Sequence, residues 1–310
     1  MKIGIWINIS HFPAGGPTVV CLGVLIGLKQ LIPDCILVIN EPGELNFQLF
    51  GADRDIRLYP TNTVFGPNPI AVQHIDFINP DDDEKWKYAK TMTFSAVWII
   101  NWLEQKFPIR ASMQEDKKRV YLWESGVDTV YYTPSDKPKT QDFFIYYKSQ
   151  RPEEVEQVWG YLFSSYYEIK GDLLCYHFYK PEMLRDVAQR SKFCIMIDNE
   201  ETQGLAALEI MACNCPIFCI DKPYYQHKSH VMRNSVTSIV SWNDCCGMKS
   251  DWEKWKTDFP TFLNSLATYT PAQFVQQKYS YKECAKTLVS IAVDSIKRDI
   301  SSQILASEPS

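Results

Sequence analysis

Glycine is scarce in this chain, with 13 among 310 residues, against a usual share of about seven per hundred. Each glycine in a loop therefore marks a place where the backbone turns left-handed or approaches another group closely. Long apolar runs are absent too. The longest, Pro17 to Leu28, spans only about twelve residues, too few for a membrane crossing, and reads as a buried helix. That excludes a transmembrane segment and leaves, at most, a peripheral association with a membrane. No Lys/Arg run tracks a phosphate backbone, and the net charge is -5, so nucleic acid is not an expected partner. Cys213 with Cys215, and Cys245 with Cys246, lack paired CxxC spacing, which argues against a zinc site. Cys21, Cys35, Cys175, Cys194 and Cys219 sit in apolar runs, where thiols behave as small hydrophobes. The opening MKIGIWINIS shows no cleavage pattern, so a cytoplasmic protein is expected.

What is present is a globular composition, 45% hydrophobic and 22% charged. Strand-like IGIWI at 3–7 is followed by a glycine-bearing loop, a helix opening near Pro17, and a second strand CILVI at 35–39, a βαβ start. Further short runs, DIRLY (55–59), HIDFI (74–78), FSAVWII (94–100) and RVYLW (119–123), read as strands. TPSDKPKTQD at 133–142 carries two prolines and no apolar period, the best linker in the chain. Beyond it, strands at 143–147, 173–178, 193–197 and 216–220 alternate with helices opening at Pro152, Pro181 and near Thr202, a second Rossmann-like series. Thr270-Pro271 and a Ser280/Glu283 capping box begin two closing helices, with fraying expected from Ser301. The expected fold class is α/β, with two Rossmann-like parallel-sheet domains facing a cleft. Their bounds are 1–133 and 134–280, followed by a terminal helix at 281–300 packing back on the first domain and a flexible tail at 301–310.

The densest feature is Glu201-Thr-Gln-Gly204-Leu-Ala-Ala-Leu-Glu209, after a buried strand and at a helix start. The free N–H groups of such a start suit a phosphate, with a carboxylate on the preceding loop and another further along to grip hydroxyls. By themselves these residues also fit a turn glycine and an exposed helix acid. Lys148 and Arg151 follow the strand at 143–147. They suit a diphosphate, and equally fit surface cations balancing Glu153 and Glu154. His11 lies in the first loop before Gly15 and Gly16. Its imidazole could bind sugar hydroxyls or a leaving phosphate, or simply face solvent.

ETQGLAALEIMACNCPIFCID resembles the nucleotide-sugar signature of retaining GT-B glycosyltransferases, two glutamates separated by seven residues. Glu201, Gly204, Glu209, Met211, Ala212, Pro216 and Ile217 fall in register, with Asn214 where the family has glycine. Gly15-Gly16-Pro17, Gly66-Pro67-Asn68 and GVDTVYYTP at 126–134 agree with the same resemblance, and the compact length is similar to versions found in large viruses of algae. The resemblance implies hexosyl transfer from a UDP- or GDP-hexose to a glycan or glycoconjugate acceptor, without an essential metal or further cofactor. It places Glu201 at the donor sugar and Glu209 at the ribose. The amides of Gly204 and Leu205, with Gly15, Gly16, Lys148 and Arg151, lie by the diphosphate. His11 joins Glu201, Lys148 and Arg151 as a catalytic candidate. The glycine usual near Lys148 is missing, so the division of work between Lys148 and Arg151 stays open. A silent nucleotide-sugar binder and an epimerase of the same fold are the rival readings. A dehydrogenase is disfavoured, because HFPAGGP replaces a GxGxxG run.

Overall fold

The computed structural model describes residues 2–6, 16–39, 47–50, 69–71, 91–106, 119–148, 152–198, 201–221, 224–227, 230–233 and 237–307. The chain divides into two compact units, residues 1–126 with 281–310 (unit 1) and residues 127–280 (unit 2).

Unit 1 opens with β1 (Lys2–Trp6), α1 (Gly16–Leu31) and β2 (Ile36–Ile39). β3 (Phe47–Phe50), β4 (Pro69–Ala71) and β5 (Thr91–Phe94) follow, then α2 (Val97–Lys106) and β6 (Arg119–Leu122). The sheet order is β2-β1-β3-β4-β5-β6, with parallel pairings throughout. One expectation changes here. The FSAVWII strand ends at Phe94, and its remainder turns into α2 through bonds from the Ile99 and Ile100 amides to the Ala96 carbonyl. A short apolar run without alternation fits either state, and here the helix exposes Val97 and buries Trp98 and Ile99. The strands at 55–59 and 74–78 lie outside the described residues.

Unit 2 runs β7 (Gln141–Tyr147), α3 (Pro152–Ser165), β8 (Gly171–Cys175), α4 (Pro181–Arg190) and β9 (Ser191–Ile197). Then come α5 (Leu205–Ala212), β10 (Ile217–Asp221), a hairpin of β11 (Tyr224–His227) and β12 (His230–Arg233), and β13 (Gly247–Asp251). α6 (Trp255–Asn264) and α7 (Pro271–Lys278) complete it. The main sheet is parallel, in the order β13-β10-β9-β7-β8. Strand residues alternate between two apolar layers, as a sheet covered on both faces requires. Phe144, Tyr146, Cys194 and Met196 join α4, α5 and α7 on one side. Phe143, Ile145, Phe193 and Ile195 join α3 and α6 on the other, where Phe218, Phe259 and Phe262 form an aromatic cluster. The chain belongs to unit 2 from Val127, earlier than the 133–142 linker suggests. The Val127 amide bonds the Tyr279 carbonyl (2.8 Å), and Tyr132 is buried in the unit 2 core.

The last helix, α8 (Tyr281–Ser307), belongs to unit 1. It runs past Ser301, where fraying was expected. The segment contains neither proline nor glycine, and Ser301 Oγ bonds the Lys297 carbonyl (3.0 Å). Cys284, Ala285, Leu288, Ile291, Ala292 and Ser295 form its buried stripe. Ser295 Oγ bonds Thr91 Oγ1 (2.6 Å), and the Trp123 indole donates to the Cys284 carbonyl (2.8 Å). α1 meets α8 at Gly27, where a Cβ would stand 2.1 Å from the Tyr281 carbonyl oxygen. Among the described residues no helix is long and apolar enough to cross a membrane.

Candidate functional site

Counted from β7, the strand order of unit 2 is two-one-three-four-five, so the order reverses between β7 and β9. Outside the carboxyl ends of such a strand pair a crevice opens, because neighbouring loops leave in opposite directions. Tyr147 and Ile197 are register partners, which brings the next residues, Lys148 and Asp198, side by side. Lys148 Nζ lies 2.9 Å from Asp198 Oδ2 and 3.0 Å from Glu201 Oε2. The Asp198 side chain is 2% exposed, while Lys148 and Glu201 are 18% and 20% exposed. Burial works against the Lys148 ammonium, but the Glu201 and Asp198 carboxylates outweigh it and hold its pKa above the ordinary lysine value. The lysine also lies 5.4 Å from the centre of the Tyr176 ring.

Glu201 is oriented by its own loop. Its Oε1 accepts from the amides of Thr202 (2.9 Å) and Gln203 (3.2 Å), leaving Oε2 for Lys148. Gly204, the N-cap of α5, has φ 73° and ψ 35°, a left-handed turn that aims the helix start. Having no side chain, Gly204 caps none of the first-turn amides, and a Cβ there would meet Glu201 Cγ at 3.3 Å. Beyond the helix, Asn214 takes the same left-handed region (φ 54°).

Glu209 stands on α5 in a different setting. Burial pushes its carboxyl up to about 8, and a hydrogen bond from the Tyr132 hydroxyl only partly offsets this. The same burial, with Glu209 alongside, pushes the Tyr132 phenol up as well. The exposed helix acid considered from sequence is therefore not what folds. Nearby, Tyr146 and Tyr179 share an O···O contact of 3.4 Å.

Lys148, Glu201, Gly204, Leu205 and Glu209 thus gather on three adjoining elements of unit 2. Gly16 begins α1 in unit 1. His11, Gly15, Gly66 and Arg151 lie outside the described residues. Sequence reasoning missed Asp198 and Tyr132. The only signal for the first was an acid ending the apolar run FCIMID, and for the second a tyrosine in GVDTVYY. All ten cysteines are free thiols. Among the described residues, no group of three or more His, Cys, Asp or Glu is placed to hold a metal.

No protein-family model and no curated protein matches the chain. Solved structures do. The catalytic domain of starch synthase IV from Arabidopsis thaliana, bound to ADP and acarbose, superposes with a TM-score of 0.60 at 9% identity, over 96% of this chain and 99% of that one. Sucrose-phosphate synthase from Thermosynechococcus elongatus gives 0.54 at 10% identity, over 99% and 100%. The lipopolysaccharide outer core galactosyltransferase WaaB gives 0.53 at 11% identity, over 95% and 100%. At such identities the likeness is one of fold, and the fold is that of the GT-B glycosyltransferases, with Rossmann-like α/β domains.

Proposed function

We propose that the chain is a glycosyltransferase that moves a hexosyl group from a nucleoside diphosphate sugar to an acceptor hydroxyl of a glycan or glycoconjugate, with retention at the anomeric carbon. The observation that carries this reading is the meeting of Lys148, Asp198 and Glu201 at the β7/β9 switch point, beside the glycine-capped start of α5. Fold likeness to two synthases and a galactosyltransferase supports it.

In this reading the donor diphosphate sits on the first-turn amides of α5, where the helix dipole favours negative charge. Lys148 exchanges Glu201 for a phosphate oxygen while Asp198 keeps hold of the ammonium. Glu201, still anchored by two backbone amides, turns its second oxygen to the sugar hydroxyls. Glu209 accepts from the ribose. The bond from the anomeric carbon to the β-phosphate oxygen breaks, and its electron pair leaves on that oxygen. The α5 amides and Lys148 stabilise the charge as it develops. The same phosphate oxygen takes the acceptor proton, and the acceptor oxygen bonds the anomeric carbon from the face just vacated. The leaving charge is met without a metal.

The test is a panel of UDP-, GDP-, ADP- and dTDP-hexoses with glycan acceptors, with and without a chelator, the product anomer being read by NMR. One donor class is expected to turn over with retention and to tolerate the chelator. Glu201→Ala is expected to lose about a hundredfold in turnover. Failure of every donor to bind or react contradicts the reading, and a fully active Glu201→Ala contradicts the role given to Glu201.

A further inference from the structure

Asp198 and Glu201 are both held from behind by a short strap, residues 237–240. The Glu201 amide donates to the Thr237 carbonyl (3.0 Å), and Ser238 Oγ donates to the Asp198 carbonyl (2.8 Å). Both acids that grip Lys148 therefore have a main-chain bond to one strap. Val240 continues it beneath the helix start, its Cγ2 standing 3.6 Å from where a Cβ on Gly204 would lie.

The strap is in turn pinned to two strands, at the end of β10 and the middle of β13. Cys219 and Lys249 are register partners across β10 and β13. Asp221 lies two residues beyond Cys219, so Asp221 and Lys249 project from the same face of the sheet. Their charged atoms are 3.9 Å apart, and the Thr237 hydroxyl bridges them. It donates to Asp221 Oδ2 (2.9 Å) and accepts from Lys249 Nζ (2.7 Å). Lys249 also donates to the Ile239 carbonyl (2.7 Å), and Asp221 Oδ1 accepts from the Ser238 amide (2.7 Å). Lys249 sits 5.2 Å from the centre of the Trp242 ring. The Thr237 hydroxyl, together with the two direct bonds, thus links a strand-borne ion pair to the strap, and through the strap to the backbone of the cluster.

We propose that Thr237, pinned by Asp221 and Lys249, is a positioning residue that sets the geometry of Lys148, Asp198 and Glu201. None of the three pinning side chains needs to touch a substrate. They act by fixing the carbonyl that holds the Glu201 amide. The kinetic part of this inference rests on the transferase reading above, and the chemical-labelling part does not.

The test compares Thr237→Val, which keeps the shape and removes the bridging hydroxyl, with Thr237→Ser, which keeps it. Three quantities are read on the full chain: kcat and KM with whichever donor turns over, the melting temperature, and the acylation rate of Lys148 by an amine-reactive ester, followed by peptide mass spectrometry. Thr237→Val is expected to lower kcat by about tenfold or more with donor KM nearly unchanged. It is also expected to speed Lys148 acylation by at least about threefold as the cluster loosens. Thr237→Ser restores both. Wild-type kcat and labelling in Thr237→Val, or equal damage in Thr237→Ser, would overturn the proposal. If Thr237→Val melts below the assay temperature, Lys249→Gln is read in the same way. If no donor turns over, the transferase reading fails alone, and the labelling of Lys148 still decides the strap.

Discussion

The two units share the strand order two-one-three-four-five from their own first strands, which unit 1 extends with a sixth strand, yet they hold themselves together by different means. Unit 1 depends on a helix from the far end of the chain. α8 packs on α1 at Gly27 and ties β5 through the Thr91–Ser295 hydroxyl pair. Unit 2 is built from one continuous stretch, with apolar layers on both sheet faces and a cluster of one lysine and two acids at the carboxyl ends of β7 and β9. The difference teaches where lesions should register. In unit 1 a change at the helix contact is a matter of stability. In unit 2 the apolar layers carry stability, and the charged end carries chemistry with a stability cost attached.

The sharpest way to break that comparison is Lys148→Met. It removes the cation between two acids, one of them only 2% exposed, and should cost about 3–5 kcal/mol in urea unfolding, as well as activity. Gly27→Val in unit 1 forces a side chain into the Tyr281 carbonyl and should cost about 2–3 kcal/mol by the same measurement. Gly204→Ala strains a residue at φ 73° and should cost about 1–2 kcal/mol, with a larger fall in kcat than its stability loss suggests, because Glu201 Cγ is the atom it displaces.

A further effect is a pH dependence. Glu209 holds its proton more tightly folded than unfolded, so its contribution to stability is complete below the unfolded carboxylate pKa of about 4.3. That contribution is lost as pH rises through the folded value of about 8. Glu209→Gln should flatten the melting temperature across this window. Tyr132→Phe, which removes the bond that lowers the Glu209 pKa, should move the window upward.

Much of unit 2 was legible in its sequence. Proline at the starts of α3, α4 and α7 and unbroken apolar runs in β7, β9 and β10 mark those elements plainly. Gly204 and Asn214, the two ends of α5, could be singled out because left-handed backbone restricts the choice of residue. α6 and the β11/β12 hairpin were not legible. α6 carries an apolar period at Trp255, Phe259 and Phe262, but Pro260 inside it reads as a helix breaker, and the hairpin shows no apolar alternation. Asp198, Tyr132 and the Asp221–Thr237–Lys249 pin stayed hidden for a different reason. Each acquires its meaning from a partner about twelve to eighty residues away, and only the fold supplies that distance.

Calorimetric titration decides whether the charged end of unit 2 holds a nucleoside diphosphate. UDP, GDP, ADP and dTDP, and each parent nucleoside, are titrated into the wild type and into Lys148→Gln at a temperature where both are folded. At least one diphosphate is expected to bind and to lose about tenfold or more in affinity in Lys148→Gln, while its nucleoside binds both proteins alike. Equal diphosphate affinity in the two proteins, or no binding of any diphosphate to the wild type, would contradict it.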